Sequence, residues 1–147
     1  MLTRVWFSIK CAAFGAALVS TSAAALAADI AVVANHKFPV ATISIDDVRE
    51  LYLGKARELT GVGVVQLVDQ PGNSALKDEF AQKVLDKTPS QLNAYWSVRI
   101  FTGHGVPPQS VGDEHAVKSW LAAHPDGIAY IDLKHVDSSV KVLLKVQ

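Results

Sequence analysis

Little in this sequence is chemically reactive. Its 147 residues include one cysteine, Cys11, and one methionine, Met1. A lone thiol excludes a disulfide framework within the chain and any multi-cysteine zinc site. Neither sign of charge is in excess, since 14 Lys and Arg balance 14 Asp and Glu. The chain as a whole therefore has no pull toward nucleic acid or anionic lipid, and no basic run supplies a local one. Charged residues make up only 19% and apolar residues 50%, which excludes a long disordered chain. After residue 28 no apolar run is long enough to span a bilayer, and there is no internal repeat, linker or low-complexity tract. What is present fits one domain with a sizeable core.

The apolar length that exists lies at the start. Arg4 and Lys10 precede a charge-free run from Cys11 to Ala28, rich in Ala, Leu and Val and closing Ala25-Leu26-Ala27-Ala28. A basic start, a short apolar run and an Ala-x-Ala end are the marks of a secretory signal peptide. The competing reading is a membrane anchor, but the small, Ser/Thr-dotted second half suits cleavage better. Cys11 follows Ser8-Ile9-Lys10, which is no lipobox. The expectation is a signal peptide over residues 1–27, cut after Ala27 or Ala28, and a soluble periplasmic domain over residues 28–147. Cleavage would remove Arg4, Lys10 and Cys11, leaving two more acidic groups than basic ones and no cysteine.

The remainder alternates between strand and helix signals. Ile30–Ala34 is a short apolar run suited to a buried strand. Ser44 is placed to cap a helix, with Asp46 and Asp47 in its first turn and Ile43 and Val48 at the staple positions. This helix would bury Val48, Leu51 and Tyr52 and end near Gly54. Val62–Val68 reads as a β-branched central strand. The turn cluster Asp69–Asn73 then opens a helix over about 74–86, with Leu76, Phe80 and Val84 on one face. Thr88-Pro89-Ser90-Gln91 signals another helix start, carrying Leu92, Trp96 and Ile100 and stopping at Thr102-Gly103. A helix over 114–124 and strands over 128–131 and 140–146 complete an α/β domain. Trp96 and Trp120 sit at helical spacing among aliphatic neighbours and read as core anchors.

One junction could carry chemistry. At Asp69-Gln70-Pro71-Gly72-Asn73-Ser74-Ala75 a strand feeds a Gly-containing turn that opens a helix. The first N–H groups of a helix lack intrahelical partners and lie at the positive end of its dipole, so they can hold an anion. Gly72, Asn73, Ser74 and Ala75 form that turn; Ser74 could add a hydroxyl donor, and Lys77 lies one turn on. The alternative is that Asn73 or Ser74 merely caps its own helix. Asp69 stands beside the turn, so fixed positive charge is scarce. Other chemistries find less support. The five histidines, His36, His104, His115, His124 and His135, include no pair at i,i+3 or i,i+4, so no metal site is expected. Ser74, Asp69 and His104 can be assembled into a triad on paper, but there is no Gly-x-Ser-x-Gly elbow and no oxyanion partner. Thr102-Gly103-His104-Gly105 follows a helix instead of opening one, unlike a phosphate loop.

Three segments carry a resemblance. Asp46–Lys55 resembles the L-x-x-I-F-x-G-K helix of the phosphate-binding subunits of ABC transporters. Gly72-Asn73-Ser74-Ala75-Leu76 falls where that family has its Ser-Gly-Thr anion motif after a strand. Pro125-Asp126-Gly127-Ile128-Ala129-Tyr130-Ile131 is similar to its P-G-A-I-G-Y-V segment. Those subunits close two lobes around the ligand, and this chain resembles the second lobe alone. The resemblance implies a single periplasmic-binding-protein-like lobe, with a central mixed β-sheet flanked by helices. It implies a binding protein and no enzyme, with no cofactor and no nucleic acid. Its ligand would be phosphate or another small oxyanion, its partner a membrane transporter or sensor, and a homodimer could replace the second lobe. The alternative is a ligand-free interaction module that uses the inherited cleft face to bind protein. Of the family's anion motif only Ser74 and the helix N-terminus carry over. The family's Arg before the glycines corresponds to Asp69-Gln70, and its Gly and Thr after the Ser correspond to Ala75 and Leu76. Loss of a bidentate Arg–phosphate pair implies weakened affinity.

Overall fold

The computed structural model describes residues 27–147; the expected signal peptide falls almost wholly outside them. Strand β1 (Ile30–Asn35) is buried at every position, as a strand covered on both faces must be. It pairs antiparallel with β6 (Gly127–Asp132) on one side and β7 (Val140–Val146) on the other, with a register irregularity against β7 at Val32/Val33. Beyond β6 lie β4 (Gln66–Asp69) and β5 (Gln109–Ser110), both parallel to it in sense, giving the order β5-β4-β6-β1-β7. A two-stranded hairpin, β2 (Glu58–Leu59) and β3 (Gly63–Val64), stands apart.

The period-2 alternation of side chains sorts the sheet's two faces. Ile30, Val32 and Ala34 of β1 join Ile128 and Tyr130 of β6 in one core with helices α1 (Ile45–Tyr52), α2 (Ala75–Lys83) and α3 (Pro89–Phe101). Ala31, Val33, Ala129 and Ile131 point the other way, into a smaller core with α4 (Glu114–Ala123). The molecule is thus an α/β domain, as the alternating sequence signals predict, with the mixed sheet and flanking helices that the resemblance implies; the helices cover both faces.

The caps follow the sequence closely. Ser44 Oγ accepts from Asp47 N at 3.0 Å, and the flanking Ile43 and Val48 are both buried. Thr88 and Gln91 form a reciprocal capping box, with Pro89 at the first helical position.

Several boundaries differ from expectation. Val62–Val68 is not one strand: Gly63, at φ +93°, turns Val64 toward the hairpin, and only Gln66–Asp69 joins the sheet. Helix α2 ends at Lys83 rather than near residue 86, because Asp86 adopts φ +54° and turns the chain toward α3. Aspartate tolerates this left-handed conformation better than most residues. Ile100 does not share the inner face of Leu92 and Trp96 but is exposed, as are Val98 and Phe101. Trp96 is a core residue, whereas Trp120 is half-buried and stacks on His124 at 4.0 Å. Strand β5 was hidden in a Pro-rich stretch, and proline is compatible with an edge strand.

Candidate functional site

Chain connectivity creates a crevice at one end of the sheet. From β4 the chain passes through α2 and α3, on one face, to β5; from β5 it passes through α4, on the opposite face, to β6. Helices α2 and α4 therefore leave the C-terminal ends of neighbouring parallel strands in opposite directions. Such a divergence opens the crevice in which open α/β sheets bind ligands. Here Gln70, Pro71, Ser74 and Leu76 line it from the β4–α2 side and Asp113, Glu114 and His115 from the α4 side, enclosing about 460 Å³.

The two helix N-termini that meet there differ in chemistry. That of α4 is occupied by its own carboxylates. Asp113 Oδ1 accepts from Ala116 N at 2.9 Å, and Glu114 accepts from Asp132 N and contacts the His135 ring. That of α2 is open. Ser74 has the extended backbone of an N-cap (φ −82°, ψ 125°), yet its side chain makes no capping hydrogen bond. Among the described residues, the N–H groups of Ala75 and Leu76 meet no acceptor. Gly72, Asn73 and Ala75 are exposed and Ser74 half-buried, but the Ser74 N–H, expected among the anion-holding donors, is taken by Pro71 O at 3.0 Å.

Lys77 has a partner inside the protein. Its Nζ lies 2.7 Å from Asp69 Oδ2, with the Asp69 side chain only 12% exposed. Asp69 Oδ1 accepts from Gln70 N at 2.8 Å and from the Tyr130 hydroxyl. Tyr130 in turn stacks on Phe80 (3.8 Å, 2° between planes), and Gln70 Nε2 donates to its carbonyl at 2.8 Å. Tyr52 packs edge-on against both rings and donates its hydroxyl to Val68 O at 2.9 Å. Burial, reinforced by the Asp69 charge, holds both phenols well above the ordinary tyrosine value. Spacing within the turn could not reveal this cluster, because Tyr130 lies 61 residues from Asp69.

The remaining candidates do not converge on the crevice. His104 Nδ1 lies 2.8 Å from Thr102 Oγ1, and its loop lines a different, apolar groove of about 370 Å³ with Leu51, Val64, Trp96 and Val106. The triad drawn from Ser74, Asp69 and His104 is thus dispersed, since each residue lines a different cleft. Among the described residues no three His, Asp or Glu side chains are grouped to hold a metal, and no helix is long and apolar enough to cross a membrane.

No family model matches the sequence, and no curated protein does. Solved structures do share its fold. One is a Clostridium perfringens protein described as a phosphate ABC transporter substrate-binding protein with bound phosphate, superposing with a TM-score of 0.62 at 20% identity. That match covers 79% of this chain and 45% of the other. An ABC-type phosphate transport receptor from Vibrio cholerae matches at 0.62 and 18% identity, over 79% and 46% of the two chains. PstS from Borrelia burgdorferi matches at 0.59 and 13%, over 79% and 47%.

The fold is that of a periplasmic-binding-protein lobe. This lobe spans less than half the length of the proteins it matches. At these identities the likeness is one of fold.

Proposed function

We propose that this lobe is an exported solute-binding protein that holds a small oxyanion, phosphate foremost, at the N-terminus of α2. The observation that carries the reading is Ser74: it occupies the cap position while its hydroxyl is free of the cap bond. The hydroxyl and the Ala75 and Leu76 amides form a set of neutral donors at the positive end of a helix, beside a crevice of ligand size. A membrane transporter or sensor would receive the loaded protein, by analogy with the matched transport receptors. Binding should be weak, because the crevice holds no arginine and is walled by Asp113 and Glu114.

A second reading rests on a different observation. Val98, Ile100, Phe101 and Val106 are 52–93% exposed, and apolar surface near a groove is a mark of protein contact. In that reading protein is bound by α3 and the loop after it, outside the crevice that Ser74 lines, and no solute is held.

Calorimetric titration of the purified protein with phosphate and sulfate separates the two. The solute reading expects saturable heat that falls at least about tenfold in affinity in Ser74→Ala, since hydrogen bonds to charged groups contribute about 1.5–3 kcal/mol. Absence of heat with every oxyanion, in a protein that is folded by circular dichroism, would leave the interaction module as the better account.

A further inference from the structure

The apolar groove beside His104 shares no residue with the crevice that Ser74 lines, so it is independent of the oxyanion reading. Its walls come from the end of α1, the β2–β3 hairpin, α3 and the loop after α3. Leu51, Val65 and Trp96 form a floor that is almost fully buried. Val64 and Val106 also line the groove yet are 62% and 71% exposed, which places them at its mouth. At about 370 Å³ the space is of small-molecule size, and such sites join an apolar lining to a few polar groups. The walls are braced: Arg99 donates to Gly54 O at 2.9 Å and to His104 O at 2.7 Å, tying the loop to the end of α1.

Charge at the groove has one sign. Arg57 lines it, and among the described residues no aspartate or glutamate does. The Arg57 side chain is exposed and pairs with no carboxylate among those residues. Its carbonyl accepts from Val65 N at 3.1 Å, which anchors the Arg57 backbone beside the floor. His104, neutral or cationic, adds no negative charge.

We infer that this groove binds a small amphiphilic anion: an apolar body seated on Leu51, Val65 and Trp96, with one carboxylate paired to Arg57. The apolar body removes the floor and the two mouth valines from water. A guanidinium matches a carboxylate in a planar, two-bond pair. One guanidinium balances one charge, so a monocarboxylate fits better than a dianionic phosphate ester.

The test titrates octanoate calorimetrically into the wild-type protein, Arg57→Gln and Val106→Asp, each checked for folding by its melting transition. Both positions are exposed, so the fold should survive both changes. 1-Octanol and octylammonium serve as the neutral and cationic bodies of the same length. The expected result is saturable octanoate binding, about fivefold weaker in Arg57→Gln as befits an exposed ion pair, and lost in Val106→Asp. 1-Octanol should bind more weakly than octanoate and be indifferent to Arg57→Gln. Octylammonium binding as tight as octanoate, or octanoate binding unchanged in both variants, overturns the proposal. So does the absence of saturable octanoate binding by folded wild type. Sedimentation of the same proteins tests the competing occupant: a dimer abolished by Val106→Asp would seat a second copy in the groove and overturn the small-anion assignment.

Discussion

Tyr130 shows how one side chain ties the core to the crevice. Its ring lies in the larger core against Phe80 and Tyr52, while its hydroxyl reaches Asp69 at the end of β4. Stacked and edge-on aromatic pairs contribute about 0.5–1.5 kcal/mol each beyond the area they bury. The hydroxyl adds a bond to a carboxylate. Both Tyr52 and Tyr130 have their ionisation displaced upward by burial and by Asp69. A folded-state value above the unfolded one means that the stabilisation is complete below about pH 10 and is lost as pH rises beyond it. Ultraviolet titration of the phenols, run beside circular dichroism, should show Tyr52 and Tyr130 ionising only in step with unfolding. Ionisation of all three tyrosines with the fold intact would contradict the buried placement. The Tyr130 segment was legible in the sequence as a strand, through its apolar run after Pro125-Asp126-Gly127. Its bond to Asp69 was not, since contacts between distant segments leave no local pattern.

Among the elements, α2 and α3 begin in similar sequence signals that do different work. Thr88 closes a full capping box, while Ser74 takes the cap position without the cap bond. Loss of a cap costs about 1 kcal/mol, or a few degrees in melting temperature for a domain of this size. Thr88→Ala should therefore lower the melting temperature by that amount, and Ser74→Ala should change it by clearly less. Matched losses in a calorimetric scan would show that Ser74 serves its helix after all. Caps and helix faces were legible because they depend on residues three or four apart. The split of Val62–Val68 was not: its β-branched composition suits a strand throughout, and only the pairing partners, Glu58–Leu59 for one half and β6 for the other, decide where it breaks. Likewise Ile100 has the right spacing for the core, but α3 has no neighbour on that side to cover it.

For the whole molecule, the decisive property is that both faces of one sheet are already covered by the chain's own helices, so the lobe has its two cores without a second lobe. The crevice, by contrast, is bounded from one side only, by the ends of β4 and β5 and the starts of α2 and α4. The alternation of strands and helices made this architecture legible. The opposed directions of α2 and α4, which create the crevice, depend on strand order and were not readable. A single rigid sheet has no hinge, so occupying the crevice should leave the shape unchanged. The described residues, 27–147, folded as a compact monomer have a radius of gyration of about 14 Å, and a compact pair of them about 18 Å. Small-angle scattering should give the smaller value both without phosphate and at saturating phosphate. A rise toward the larger value on adding phosphate would mean that a second copy closes the crevice, supplying from outside the wall that this lobe lacks.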